Sequence, residues 1–181
     1  FWAGCGIAIA MGMVLKLTAC AIQQKCIGEA LGSSKWIKSQ VGVNKSFFRS
    51  VERILRKPGL SFGKVAILCG GPDWPTSVFC GVQHLSLVQC ELGTMPILVF
   101  IAPCTLYGAF YTRQTESEVW KNATNVMLLV SVATNMFFGL GAAWAVQEEL
   151  DENHWEVTKP LEEYIDLDWL DYRSEQLAQC C

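Results

Sequence analysis

Apolar residues in this chain come in blocks. Residues 1–22 are apolar apart from Lys16 and Thr18, and 65–88, 92–112 and 126–146 form three further runs. A helix needs roughly 20 consecutive apolar residues to cross a bilayer. The first, third and fourth runs reach that length and predict spanning helices, the third kinked at Pro96 and Pro103. Gly4, Ala8 and Gly12 recur every four residues in the first run and predict a smooth face for close helix packing. Lys16, near its end, is expected to snorkel towards the cytosolic surface. Asn135, inside the last run, predicts a bond across a helix interface or a place on a cavity wall.

The second run is different. Cys69-Gly70-Gly71-Pro72-Asp73-Trp74-Pro75 interrupts it, and two prolines, two glycines and a carboxylate cannot continue a helix. The pieces left, 61–71 and 76–90, are each too short to span. The pattern predicts a re-entrant hairpin: two short helices that dip into the membrane and meet at a broken tip. Backbone of this kind is tolerated at depth only where protein or a water-filled cavity surrounds it. Asp73 at the tip is therefore a candidate functional residue. Out of water, its carboxylate needs a cation, a proton or a wet cavity. Lys64, the nearest base in sequence, is expected nearer the interface and out of its reach. The alternative role for Asp73 is to cap the second short helix.

Between the first two runs, 23–44 is polar and reads as a connector. Over 46–57 the period becomes helical: Phe47, Phe48, Val51, Ile54 and Leu55 share one face, and Arg49, Arg53, Arg56 and Lys57 the other. A basic amphipathic helix of this kind lies in the headgroup plane and favours anionic lipid. The alternative is a helix docked on protein with its basic face solvated.

Composition strengthens the membrane reading. Charged residues make up 17% of the chain and mean hydropathy is +0.27, against about 25% charge in soluble domains. The net charge of −3 conceals an asymmetry: ten of fourteen basic residues fall between Lys16 and Lys64, whereas from Glu148 onward eleven acids face only Lys159 and Arg173. Basic short loops mark the cytosolic side, which places 23–61 there. With a re-entrant hairpin, two more crossings return the chain to the same side, so the acidic tail can reach the basic loop. That tail predicts a helix starting at Thr158-Lys159-Pro160, with Leu161, Tyr164, Ile165, Trp169 and Tyr172 on one face.

Catalytic chemistry finds little footing. The nine cysteines have no paired spacing and read as small membrane-embedded side chains. His84 and His154 stand at no metal-ligand spacing, and His84 is expected to be buried. Phosphate-cradling loops and nucleophile motifs are missing. No enzyme activity, cofactor, metal or nucleic-acid partner is expected. Cys180 and Cys181 are candidates for lipidation.

The order of elements resembles the SNARE-associated/DedA family of membrane proteins, whose shared unit is the VTT domain. A small-residue helix leads to a basic amphipathic helix, then Lys57-Pro58-Gly59 and an apolar arm. A Pro-x-x-Pro break (Pro72, Pro75) follows, and a span opening Leu92-Gly93-Thr94-Met95-Pro96. The resemblance covers 1–111 and places the family's first re-entrant loop upstream of Phe1, as in a fragment of a longer chain. It implies movement of lipids between leaflets, as a scramblase or a carrier of lipid-linked phosphates. The family's arginine falls on Cys69, and Asp73 stands between the prolines instead.

The expectation is thus an all-α polytopic membrane protein with three transmembrane helices, one re-entrant helical hairpin and a cytosolic amphipathic helix. It comprises a membrane domain over 1–147 and an acidic cytosolic tail over 148–181. Gly70, Gly71, Pro72, Asp73 and Pro75 are expected to contact the lipid substrate, and Arg49, Arg53, Arg56 and Lys57 the membrane surface. The runner-up is a membrane anchor that recruits a protein partner through its tail. In a eukaryotic cell the setting would be an endomembrane, the ER or Golgi.

Overall fold

The computed structural model describes residues 1–179, and its regular structure there is helical. Cys180 and Cys181, the lipidation candidates, lie outside the described residues. Helix α1 (Trp2–Ile22) runs on through a π-helical stretch, Gln23–Gly28, into a short α2 (Glu29–Leu31). The first part of the expected 23–44 connector is therefore helix, and α3 (Lys35–Val41) takes up much of the rest. The reason is tertiary. Gln24, whose polarity suggested a loop, is 2% exposed and donates from Nε2 to the Leu85 carbonyl at 2.8 Å.

The amphipathic stretch forms α4 (Ser46–Arg56), with Val51, Ile54 and Leu55 in the main core. The broken run forms α5 (Phe62–Gly70) and α6 (Asp73–Val82), separated by extended backbone at Gly71 and Pro72. The third run begins earlier than expected, as α7 (Leu87–Thr94), a 3-10 turn at Met95–Ile97 and α8 (Leu98–Tyr111). Pro96 falls in the 3-10 turn between α7 and α8, while Pro103 stays inside α8. Last come α9 (Glu118–Glu152), α10 (His154–Thr158), a 3-10 turn at Glu162–Tyr164 and α11 (Ile165–Gln179). Three stretches are long and apolar enough to cross a membrane: Trp2–Leu31, Leu87–Tyr111 and Glu118–Glu152.

Glycines set the closest helix contacts. α5 runs antiparallel to α9, with Gly63 against Ala145 and Gly70 against Phe138. A Cβ on Gly70 would stand 2.4 Å from the Phe138 carbonyl carbon. α6 lies on the end of α1 through Gly81 and Gly28, where a Cβ on either would come within 2.6 Å of the other's Cα. The expected small-residue face of α1 is used only in part. Gly12 meets Ile101 of α8, but Gly4 and Ala8 are exposed, and a Cβ on Gly4 would touch nothing within 4 Å.

The chain ends of the bundle differ in chemistry. At one end Phe1, Trp2, Phe110 and Trp120 form a ring cluster, with the Arg113 guanidinium 4.5 Å from the Phe1 centroid. The other end holds α3, α4 and the acidic tail. The α5–α6 pair returns to it: the carbonyl of Gln83, just past α6, accepts from Arg56 of α4 at 2.8 Å.

Three local expectations are corrected. His84 is exposed, at a left-handed turn (φ 50°) after α6, rather than buried. Asn135 is exposed on α9. In the tail, Pro160 precedes the helix rather than starting it, and the buried positions are Tyr164 and Leu167, with Leu170 partly buried. Ile165, Trp169 and Tyr172 point outward because the docked face also carries Asp171 to a partner in α3.

Candidate functional site

The tip between α5 and α6 brings charge into an apolar bundle. Lys16 Nζ of α1 stands 2.6 Å from Asp73 Oδ1. The lysine side chain is 13% exposed and the aspartate 60%. Lys16 therefore does not snorkel to a helix end: α1 and its continuation run on to Leu31, which leaves the lysine mid-helix. The cation missing from the hairpin's own sequence is supplied by another helix. Capping is excluded as Asp73's role, because Pro72 holds the N-cap position, without a side-chain cap, and its carbonyl accepts from Thr76 N at 3.0 Å. Asp73 is the first residue of α6, where a negative charge is favourable against the helix dipole.

A second acid lies close by. Glu91 of α7, with Oε1 buried and without a hydrogen-bond partner, is within the electrostatic reach of Lys16. Cys69 directs its Sγ to the carbonyls of Gly93 and Thr94 at 3.7 and 3.8 Å. It ties α5 to α7 and carries no charge to the tip. Lys64 is almost wholly buried, donating to the Lys57 carbonyl and lying 3.4 Å from Gln89 Oε1. It belongs to the α4 end, where it bonds the Lys57 carbonyl.

The other side of the tip is apolar. Gly70, Gly71, Pro72 and Pro75 wall a cavity of about 400 Å³, completed by Phe47, Phe48 and Val51 of α4 and by Gly139, Ala142, Ala143 and Val146 of α9. Four of the five expected substrate residues thus line one cavity, and the fifth, Asp73, holds the ion pair.

The four basic residues expected at the membrane surface have partners within the chain. Arg49 donates to the carbonyls of Lys159 and Glu156 at 2.7 and 2.6 Å. Arg53 reaches Glu149 at 2.7 Å, Asn153 at 3.0 Å and Glu156. Lys57 pairs with Glu149 at 2.5 Å, and Arg56 with Glu52 at 2.6 Å. The tail extends this contact: Lys35 pairs with Asp166, and Asn44 donates to Asp168 and Asp171 at 2.8 and 3.1 Å. The basic loop and acidic tail therefore lie at one end of the molecule.

Sequence reading missed Lys16 and Glu91. The signal was present in Lys16, since a lone charge inside a long apolar run marks a functional site by default. Glu91 carried none, because it sits at the edge of a run whose start the polar Gln83–His84 pair obscured.

The fold and site define an all-helical protein with three helices fit to span a membrane and a buried-side ion pair beside an apolar cavity. The chain matches no family model, and neither a curated protein nor a solved structure matches it.

Proposed function

We propose that the chain is an integral membrane protein that moves lipids between leaflets, with α5 and α6 entering the bilayer as a re-entrant hairpin from the cytosolic side. The observation that carries this reading is the Lys16–Asp73 pair at the broken tip, amid helices fit to span a membrane. An ion pair is costly to keep in such surroundings, and a polar step at mid-membrane is what a headgroup needs in order to slide. The resemblance to the DedA family implies the same activity. The positive charge that the family places at the Cys69 position is present instead at Lys16.

Asp73→Leu tests the proposal: lipid movement in reconstituted vesicles is expected to disappear while the protein still inserts. Removing 151–181 should leave movement largely intact. The anchor reading is favoured by Trp155, Trp169 and Tyr172, exposed on the tail. It expects the reverse, a silent Asp73→Leu and a partner lost with the tail.

A further inference from the structure

We infer that the apolar cavity behind the tip holds one acyl chain of a zwitterionic phospholipid, whose headgroup lies across Lys16 and Asp73. The inference names the substrate class of the proposed lipid path and rests on that reading.

The lining is the first argument. On α9, Gly139, Ala142, Ala143 and Val146 follow the i, i+3, i+4, i+7 spacing of one helical face. Three of them are too small to fill the space in front of them. Phe48 and Phe79 close the opposite side, with ring centroids 5.6 Å apart. An apolar cavity of roughly 150 Å³ stays dry and takes benzene. This one, at about 400 Å³, lies within the range of ligand pockets. Water gains nothing in such a lining, so the occupant is apolar.

Position supplies the second argument. Gly139 to Val146 lie within the apolar Glu118–Glu152 helix, and seven residues of helix extend the cavity by about 10 Å along its axis. A molecule that enters beside this helix from the bilayer brings a chain of suitable shape.

The third argument is charge. Pro72 walls the cavity and Asp73 holds the ion pair, so a single residue step of about 3.8 Å separates the two. The pair offers one ammonium and one carboxylate. A zwitterionic headgroup replaces each partner with its like charge: phosphate oxygen on Lys16, ammonium on Asp73. A purely anionic headgroup satisfies Lys16 and leaves Asp73 facing negative charge.

The test uses the full chain in phosphatidylcholine vesicles with a trace of phosphatidylcholine carrying a photoreactive diazirine in one acyl chain. Adducts are expected on Phe48, Val51, Ala142, Ala143 and Val146, and Gly139→Phe should lower their yield at least fivefold. A Cβ at Gly139 meets nothing within 4 Å, so the ring can enter the cavity. Ala143→Leu is the second variant should the first fail to fold. The same photoreactive chain on phosphatidylglycerol should label the cavity several-fold less. Equal labelling by the two lipids, or adducts confined to outward residues such as Leu129 and Phe137, would each overturn the inference. Lipid movement, read in the same vesicles, tests the proposed function separately. Labelling without movement keeps the chain site and removes transport; movement undiminished in a Gly139→Phe protein that has lost its adducts removes the chain site.

Discussion

Opposite charges meet in two regions of this molecule, and the regions differ in how many partners each charge has. At the tip, Lys16 of α1 pairs with Asp73 of α6, and Glu91 of α7 lies within the electrostatic reach of the same lysine. At the charged end, Arg53 has three partners and Glu149 accepts from Arg53, Lys57 and Asn153 together. Redundancy makes the second region a clamp: losing one contact leaves others, and exposed members can turn to water. The tip lacks that redundancy, since Lys16 is 13% exposed and is paired with Asp73 alone in α6, although Asp73 itself is 60% exposed. A pair set among apolar helices is poor value as a stabiliser, since hydrophobic replacements are often as stable. Its presence is better explained by what it does.

Lys16→Met should produce the largest effect, lowering lipid movement by at least about tenfold, equivalent to ~1.4 kcal/mol of barrier. Exchanging the two charges (Lys16→Asp with Asp73→Lys) should recover part of the loss. If the exchanged protein is as poor as the single variant in the vesicle assay, the two residues do not act as a pair.

Glu149→Ala removes an acid that is 4% exposed and accepts from two cations and an amide. The cations it leaves are part-exposed and can be solvated, so we expect a stability loss of about 2 kcal/mol rather than the larger cost of a stranded buried charge. Thermal unfolding in detergent reads this loss. Lipid movement should change less than about twofold, a margin below ~0.5 kcal/mol; its disappearance would mean that the two regions are not separate.

The smallest effect is expected from salt. Raising ionic strength from about 0.1 to 1 M shortens the screening length from about 10 to 3 Å. The exposed Lys35–Asp166 and Arg49 contacts should loosen, with faster amide exchange over 154–158 and 165–179. The Lys16 side of the tip should keep its protection. Equal loosening at both would show that the tip pair is as solvent-screened as the clamp.

The sequence made the break at 70–75 legible because proline and glycine act through the backbone, whatever surrounds them. It made α4 legible for a similar reason, since a face of Phe48, Val51, Ile54 and Leu55 opposite a basic one is a local pattern. It misplaced what depends on a neighbour. The polar pattern over 23–44 reads as a connector, yet its first residues are helical and Gln24 is satisfied by Leu85, sixty-one residues away. Gly4 and Ala8 looked like a packing face, but the closest approach falls at Gly28 and Gly81, two lone glycines from separate helices.

By itself, then, the chain determined that there would be three apolar helices, a broken pair of short ones and opposite charges on its basic connector and its acidic tail. These follow from composition and from backbone chemistry, which act within a few residues. Only the tertiary structure decided that Lys16 would meet Asp73, that the tip would wall a cavity against α9, and that the tail would occupy Arg49, Arg53 and Lys57. Ion pairs and cavities depend on the register of one helix against another. That register is set by where glycines allow backbones to touch, and no single segment contains it.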